Sequence, residues 1–336
     1  MTSEARPQFG DIWQRGLERI RALGCEADLV LAAGTQASHR LNRAYLDRLV
    51  FEMRVLSAVK ADTGTELFGV RLASPIIGAP LGFGRVLGRL STFGAQYGTG
   101  YLEPIAEGLR DAGSLMGLGV STPEQVQSVI DTGAPTYVIV KPYRERERIL
   151  YTMEDAARRG AIAVGIDVDA YYGVRTRYEP VGEPYVSPIP LHELKTIRAQ
   201  TKLPFIIKGV LSTRDALAAR DAGASAIVVC HHGGEIIDYA VPPLKVLPEI
   251  VRALSGSDVT ILAGTGLTTS SDVLKALALG AKGVLLGTAL MVGLAASGAA
   301  GVRDLMLALG DELRRDLSII GCASPRDIDP AVLHLL

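Results

Sequence analysis

A periodic alternation governs what this 336-residue chain can fold into. From Pro75 onward, apolar runs stand at 76–81, 115–120, 136–141, 161–168, 204–210, 226–232, 259–265 and 283–290. Stretches with helical spacing separate them at 102–112, 123–132, 146–159, 190–200, 212–222, 242–255 and 271–280, and another follows at 302–318. Short runs that are apolar throughout read as strands buried on both faces, the mark of a parallel sheet covered by helices. About eight such βα units in about 240 residues is the count and length of a (β/α)8 TIM barrel, an α/β fold. A doubly wound open sheet is the alternative, but no G-x-G-x-x-G turn follows the first strand to support it. Ala-Gly-Ala at 222–224 and Gly-Ala at 280–281 fit helix C-termini turning tightly into the next strand.

Ahead of the alternation lies a preface, residues 1–73. Ile12, Leu17, Ile20 and Leu23 recur at helical spacing, and 39–51 is an amphipathic run. Strand-like stretches are expected at 54–59 and 66–72. No low-complexity linker or charge block divides the chain, so one domain is expected, a barrel carrying an N-terminal helical extension.

With 37 glycines and only 5% aromatic residues, the composition suits many short turns and close helix–sheet contacts. A net charge of −1 gives no footprint for nucleic acid, and no uninterrupted apolar run reaches membrane-spanning length. The first residues lack the apolar core of a signal peptide, so a cytoplasmic location is the expectation. Cys25, Cys230 and Cys322 are far apart and odd in number, which argues for free thiols and against a disulfide frame or a zinc cluster; no metal site is expected.

In a barrel, the residues that close each strand converge on one mouth. Reading those ends gives Pro80, Leu81 and Gly82, then Lys141, Asp167 and Lys208, then His232 with Glu235, then Gly264, Thr265 and Gly266, and last Gly287 and Thr288. The densest stretch is 226–238, AIVVCHHGGEIID, where an apolar strand runs into two histidines, two glycines and an acid. Side chains alternate along a strand, so His231 and His232 should face opposite ways. Cys230 reads as a small buried hydrophobe. Lys208, in PFIIKGV, needs an anion to offset its desolvation, and Asp167, in AVGIDVD, is a partner for it or for His232. The loop 263–271, AGTGLTTSS, and Gly287-Thr288 fall where barrels bind phosphate through backbone N–H groups.

These residues resemble the FMN-dependent α-hydroxy-acid oxidase and dehydrogenase family, which includes glycolate oxidase, lactate oxidase and mandelate dehydrogenase. LPFIIKGVLSTRDA is similar to its strand-5 lysine motif, SSDVLKALALGAKGVLLG to its strand-7 and strand-8 region, and IIGCASPRDI to its C-terminal helix end. Cys230-His231-His232-Gly233-Gly234 stands where the family has Ser-Asn-His-Gly-Gly or a close variant. The resemblance implies FMN as cofactor, His232 as catalytic base, Asp167 as its acid partner, Lys208 as the charge beside the flavin, and Pro80 to Gly82 as the backbone next to it. A homo-oligomer, commonly a tetramer, a small-molecule substrate, and no nucleic-acid or membrane partner are also implied. On the substrate side the chain departs from the family. Glu235 stands where an arginine grips the substrate carboxylate, a second arginine corresponds to Ala170 or a neighbour, and a tyrosine corresponds to Lys141. The phosphate-binding arginines correspond to Thr268 and Thr288, and the ribityl-binding acid to Gly264. A glutamate repels a carboxylate, so a simple 2-hydroxy acid is disfavoured unless Lys141 or Arg175 replaces the lost charge. Lys141, Glu235 and His231 are the candidate substrate contacts, and Glu235 could select an amine or a polyhydroxylated molecule. A flavin-free barrel enzyme moving protons as an isomerase or lyase, and a non-catalytic binding or scaffold protein, are the two other readings of the same residues.

Overall fold

The apolar runs pair side by side in the order in which the chain delivers them. The computed structural model describes residues 8–29, 32–82, 100–172 and 185–336, and every structural statement here concerns those residues. The preface supplies helices α1 (Phe9–Ala22) and α2 (Ala37–Asp47) and strands β1 (Leu49–Phe51), β2 (Thr65–Leu67) and β3 (Val70–Leu72). Then come β4 (Ile76–Gly78), β5 (Pro80–Leu81), β6 (Met116–Leu118), β7 (Thr136–Val140), β8 (Ala163–Asp167), β9 (Phe205–Val210), β10 (Ala226–Val229), β11 (Thr260–Ala263) and β12 (Gly283–Leu286). Their order in the sheet is β4-β12-β11-β10-β9-β8-β7-β6-β5, all parallel. Nine segments make eight staves, because β4 and β5 are halves of the run read as one strand at 76–81. β4 pairs with β12 and β5 with β6. At the break, Gly78 N–H donates to Leu115 O at 2.9 Å and Ala79 N–H to Leu286 O at 2.8 Å. The first stave thus bonds to both neighbours, and the ring is a (β/α)8 barrel.

The outer helices are α3 (Leu102–Asp111), α4 (Pro123–Asp131), α5 (Arg146–Arg159), α6 (Leu191–Ala199), α7 (Thr213–Asp221), α8 (Pro243–Ala253), α9 (Ser270–Ala278) and α10 (Thr288–Ile319). Their ends follow local chemistry. α4 begins with Pro123 behind a capping box between Thr122 and Gln125. α7 closes on Gly223 at φ 84°, where Ala224 N–H reaches back to Ala219 O at 3.0 Å; a residue with a Cβ would be strained there.

Four expectations need correction. The stretch 66–72 is not one strand: β2 and β3 fold back on each other as an antiparallel hairpin, turning at Phe68 and Gly69, both at positive φ. The stretch 54–59 is not a strand: Val55–Ser57 form a 3-10 turn, and Arg54 N–H donates to Ile319 O instead of to a ladder partner. The run 39–51 divides, since α2 stops at Asp47 and β1 then pairs antiparallel with β13 (Leu333–Leu335) at the far end of the chain. The run 283–290 ends as a strand at Leu286, and α10 starts at Thr288, absorbing the helix expected at 302–318. α10 is interrupted at Ser297 and Gly298, where the backbone leaves helical φ/ψ. It is long and apolar enough to cross a membrane, yet 61% of its most apolar window is buried, as befits a core helix. Gly16 of α1 and Gly108 of α3 pack so closely on it that an added Cβ would meet Val292 O and Ala299 O.

Strand alternation sorts the side chains into two cores. One face of each strand packs against the helices; the other fills the barrel with Ile77, Tyr137, Ile139, Ile206, Val228 and Leu285. Leu67 and Leu72 of the β2–β3 hairpin join this interior cluster, and Leu67 reaches Gly283 at the start of β12, so the hairpin plugs the N-terminal end. Parity then fixes what stands above the plug. Tyr137 and Ile139 lead to Lys141, Ala163 leads to Asp167, Ile206 to Lys208, and Val228 to His232.

Candidate active site

Four of the residues named from the sequence meet at the C-terminal mouth. Lys141 follows β7, Asp167 ends β8, Lys208 lies in β9, and His232 opens the 3-10 turn His232–Gly234 after β10. Lys208 Nζ donates to Asp167 Oδ1 at 2.8 Å and Lys141 Nζ donates to Oδ2 at 3.0 Å. His232 Nδ1 lies 3.2 Å from Asp167 Oδ2 and 3.2 Å from Asp169 Oδ1. Two carboxylate oxygens on Nδ1 assign the ring hydrogen to that nitrogen, which leaves Nε2 with its lone pair. Lys141 Nζ stands 3.5 Å from Nε2, and Lys208 Nζ 3.2 Å from Nδ1. His232 itself is held at φ 51°, a left-handed conformation rare outside glycine and typical of strain kept at functional sites.

The electrostatics follow from burial against charge. Burial opposes ionisation of Asp167, but His232, Lys141 and Lys208 outweigh it and hold the carboxyl well below its ordinary range. Lys208 also pays a desolvation penalty, overcome chiefly by Asp167, so its ammonium is retained more firmly than in water. For His232, burial and the two lysines favour the neutral ring while Asp167 and Asp169 favour the protonated one, and the net shift is upward. Burial pushes the Cys230 thiol up to about 11, which keeps it protonated and inert.

Sequence reading missed Asp169. It follows Asp167 by two positions, and the alternation that aimed Asp167 inward carries past the strand end to aim Asp169 at the same ring. Asp167, Asp169 and His232 bring one donor atom each within 4.8 Å of one another, a spacing seen in metal sites. Lys141 and Lys208 already donate to that carboxylate, so two ammonium groups supply the positive charge that a cation would bring.

The other named residues are placed as follows. His231 is 3% exposed, its ring nitrogens have no hydrogen-bond partner among the described residues, and burial pushes it down to about 4, so it is neutral. Glu235 closes the turn, its N–H donating to His232 O at 3.1 Å, and its side chain is partly exposed. Pro80 and Leu81 form β5. Gly82 lies so close to β6 that a Cβ there would come 2.7 Å from Val120 N, and Ser121 Oγ next to it is buried without a partner among the described residues. Arg175 and most of the loop 171–188 lie outside the described residues.

At the β11 and β12 ends the mouth changes character. Gly264, Thr265 and Gly266 follow β11, and Asn42 Nδ2 of α2 donates to Thr265 O at 3.0 Å. The amides expected to cradle a phosphate are in part taken: Thr268 and Thr269 N–H donate to Asp272 Oδ2 at 3.1 and 3.3 Å. Arg43 of α2 binds the same carboxylate through both terminal nitrogens, at 2.9 and 3.0 Å. Asp272 is also the acid of a capping box with Thr269. Burial opposes its ionisation, but Arg43 and the two amides hold it below its ordinary value. Gly287 and Thr288 are the open alternative. α10 starts there with no side-chain cap and no acid in its first turn, and a Cβ on Gly287 would meet nothing nearer than Ala79 Cβ at 3.6 Å.

With this geometry in view, comparison with known proteins is decisive. The family model described as FMN-dependent dehydrogenase matches residues 29–189 and 182–335. The 4-hydroxymandelate oxidase of Amycolatopsis orientalis is 31% identical, covering 87% of this chain and 88% of that protein. The L-lactate oxidase of Nostoc sp. is 30% identical, covering 91% and 92%. Among solved structures, mandelate oxidase with (S)-4-hydroxymandelic acid superposes with a TM-score of 0.84 at 28% identity over 97% of this chain and 98% of that one. Of the three readings of the sequence, these matches select the flavin enzyme. The chain belongs to the FMN-dependent α-hydroxy-acid oxidase and dehydrogenase family and is a flavin-dependent oxidoreductase with FMN as its cofactor.

Proposed function

We propose that this enzyme oxidises the hydroxyl-bearing carbon of a 2-hydroxy acid that carries a further amino or polyhydroxy group, rather than a simple one such as glycolate or lactate. One observation carries the reading: Lys141 Nζ stands 3.5 Å from His232 Nε2, on the side of the ring that the carboxylates leave open. An ammonium there supports a carboxylate attached to the carbon whose hydroxyl proton His232 accepts, and so replaces the charge absent at Glu235 and Ala170. Glu235 follows His232 by three residues and closes the same turn, and a carboxylate at that point of the mouth favours a substrate with further N–H or O–H donors.

The residues fit the cofactor. Lys208 offers a buried ammonium for an electron-rich ring system, Ser121 Oγ is a buried polar atom with no partner among the described residues, one residue on from the Val120 backbone that Gly82 packs against, and the N-terminus of α10 at Gly287 and Thr288 suits a phosphate, as does the stretch Gly264, Thr265 and Gly266 after β11. Bound there, FMN supplies the two-electron acceptor. The chain supplies the rest. His232 takes a proton at Nε2, Asp167 and Asp169 hold the imidazolium so formed, and the apolar plug beneath keeps water from entering through the barrel.

The test is anaerobic bleaching of the flavin absorbance in the FMN-loaded protein. Aldonic acids and amino-substituted 2-hydroxy acids should bleach it at least about tenfold faster than glycolate, lactate or mandelate, the discrimination that one or two well-placed polar contacts give. Equal or faster bleaching by the simple acids would overturn the substrate assignment. A bound flavin that no acid of either kind bleaches would overturn the oxidation reading.

A further inference from the structure

We infer that Asp169 is a positioning residue for the base: it shares the Nδ1 side of His232 with Asp167 and offsets the ammonium of Lys141. The inference rests on the assignment of His232 as proton acceptor. Asp167 alone is over-committed. Its Oδ1 accepts from Lys208 at 2.8 Å, and its Oδ2 accepts from Lys141 at 3.0 Å while lying 3.2 Å from His232 Nδ1. Two ammonium groups against one carboxylate would leave the surroundings of the ring positive before any proton arrives. A proton taken by His232 would then make a third cation beside them. Asp169 brings the two lysines and two acids to neutrality, so the protonated ring is the only net charge in the cluster.

The backbone is shaped to admit that second acid. β9 carries a bulge: Val228 pairs with Lys208 and Val229 with Val210, so Gly209 has no partner. Gly209 sits at φ 95°, and a Cβ on it would lie 2.5 Å from the Asp169 carboxyl carbon. The space that a side chain would fill is occupied by this acid. Asp169 is 12% exposed at its side chain, and its Oδ2 is buried with no partner among the described residues, so the ring contact through Oδ1 is its described engagement. Among the described residues, the charged and titratable groups facing His232 are Lys141 after β7, Asp167 and Asp169 at the end of β8, and Lys208 on β9. Cys230 and His231, at the end of β10, are both uncharged near neutrality. Burial and the lysines oppose protonation of His232, and the two acids reverse that; among the described residues, removing Asp169 takes away one of the two carboxylates acting in that direction.

The experiment is a titration of 15N-histidine-labelled protein by long-range nitrogen–proton correlation, with His232 assigned from its loss in His232→Gln. Expected in the wild type is an Nδ1–H ring that protonates at a pH above that of free imidazole. In Asp169→Asn the midpoint should fall, the acid limb of kcat/KM should move down with it, and the plateau should drop roughly tenfold. Asp169→Glu should return both towards wild type. An unchanged midpoint in a folded Asp169→Asn protein would overturn the inference, whatever happens to turnover. If Asp169→Asn fails to fold, Asp169→Ser decides by the same midpoint, and an unchanged midpoint there would likewise overturn the inference. The titration needs no turnover, so failure of the oxidase reading would show as inactivity with every acid while the midpoints still judge Asp169.

Discussion

The two halves of the barrel mouth solve their problems with different chemistry. Across the ends of β7 to β10 lie five ionisable side chains, Lys141, Asp167, Asp169, Lys208 and His232, packed into one hydrogen-bonded group. Across the ends of β11 and β12 the same ring offers glycines, threonines and backbone amides, and the buried acid there, Asp272, is turned to the protein's own Arg43 and loop. Moving a proton requires side chains whose charge can change, whereas holding a fixed anion needs only oriented N–H groups. The contrast separates reaction from retention within one rim.

His232→Ala should break the first half alone. Turnover should fall by about 10²- to 10⁴-fold, the span of general-base contributions, while FMN absorbance and affinity stay near wild type. Loss of the flavin together with activity would mean that the halves are not separable. Asp272→Ala should do the reverse. It strands Arg43 and two loop amides, and should lower unfolding free energy by about 2–4 kcal/mol in denaturant titration and weaken FMN retention, with little change in kcat of the loaded enzyme. Because the Asp272 carboxyl is held below its ordinary value in the folded state, its stabilisation is present above the unfolded carboxylate range and lost as pH falls through the folded value. The stability difference between wild type and Asp272→Ala should therefore be full above the unfolded carboxylate range and shrink as pH falls below about 4. The mildest change is Arg43→Ala. Its side chain is 38% exposed, so solvent screens the pair, and a loss of about 1 kcal/mol or less is expected. A larger loss would show that α2 is held to the rim mainly by that charge.

Much of this was readable in the residues. Apolar runs at fixed spacing gave the barrel, and strand ends gave Lys208, Asp167, Lys141 and His232, because a lysine or an acid closing an apolar strand has few reasons to be there. Asp169 escaped because it lies one residue beyond the apolar run 161–168, although the two-residue period runs on. Asp272 escaped because SSDVL reads as an ordinary helix start; the Thr269-x-x-Asp272 spacing was the cue that the loop's amides would be satisfied from within. The split of the first stave at Ala79 has no local mark. It is imposed by closure, since one strand must bond to both the second stave and the last, and no window of six residues contains that demand. The boundary at Leu286 was blurred for a related reason, as Thr288 to Leu290 are as apolar as the strand they follow.

The segment after His232 is fastened to the preface. Asp238 accepts from Thr35 N–H and hydroxyl at 2.7 and 2.9 Å and from Ala37 N–H at 2.9 Å, Ser38 Oγ donates to Ile237 O at 2.7 Å, and Ala33 N–H donates to Gly234 O at 2.8 Å. These ties join residues some two hundred positions apart in the chain, and β1 adds a pairing with the final strand. Contacts of such sequence separation form late, after the loop entropy between them has been overcome. The consequence is temporal: the barrel's middle strands can assemble while the base still lacks its anchorage, and the segment that carries His232 is fastened only when the preface has docked on the mouth. Chemical competence is thus among the last properties this chain acquires.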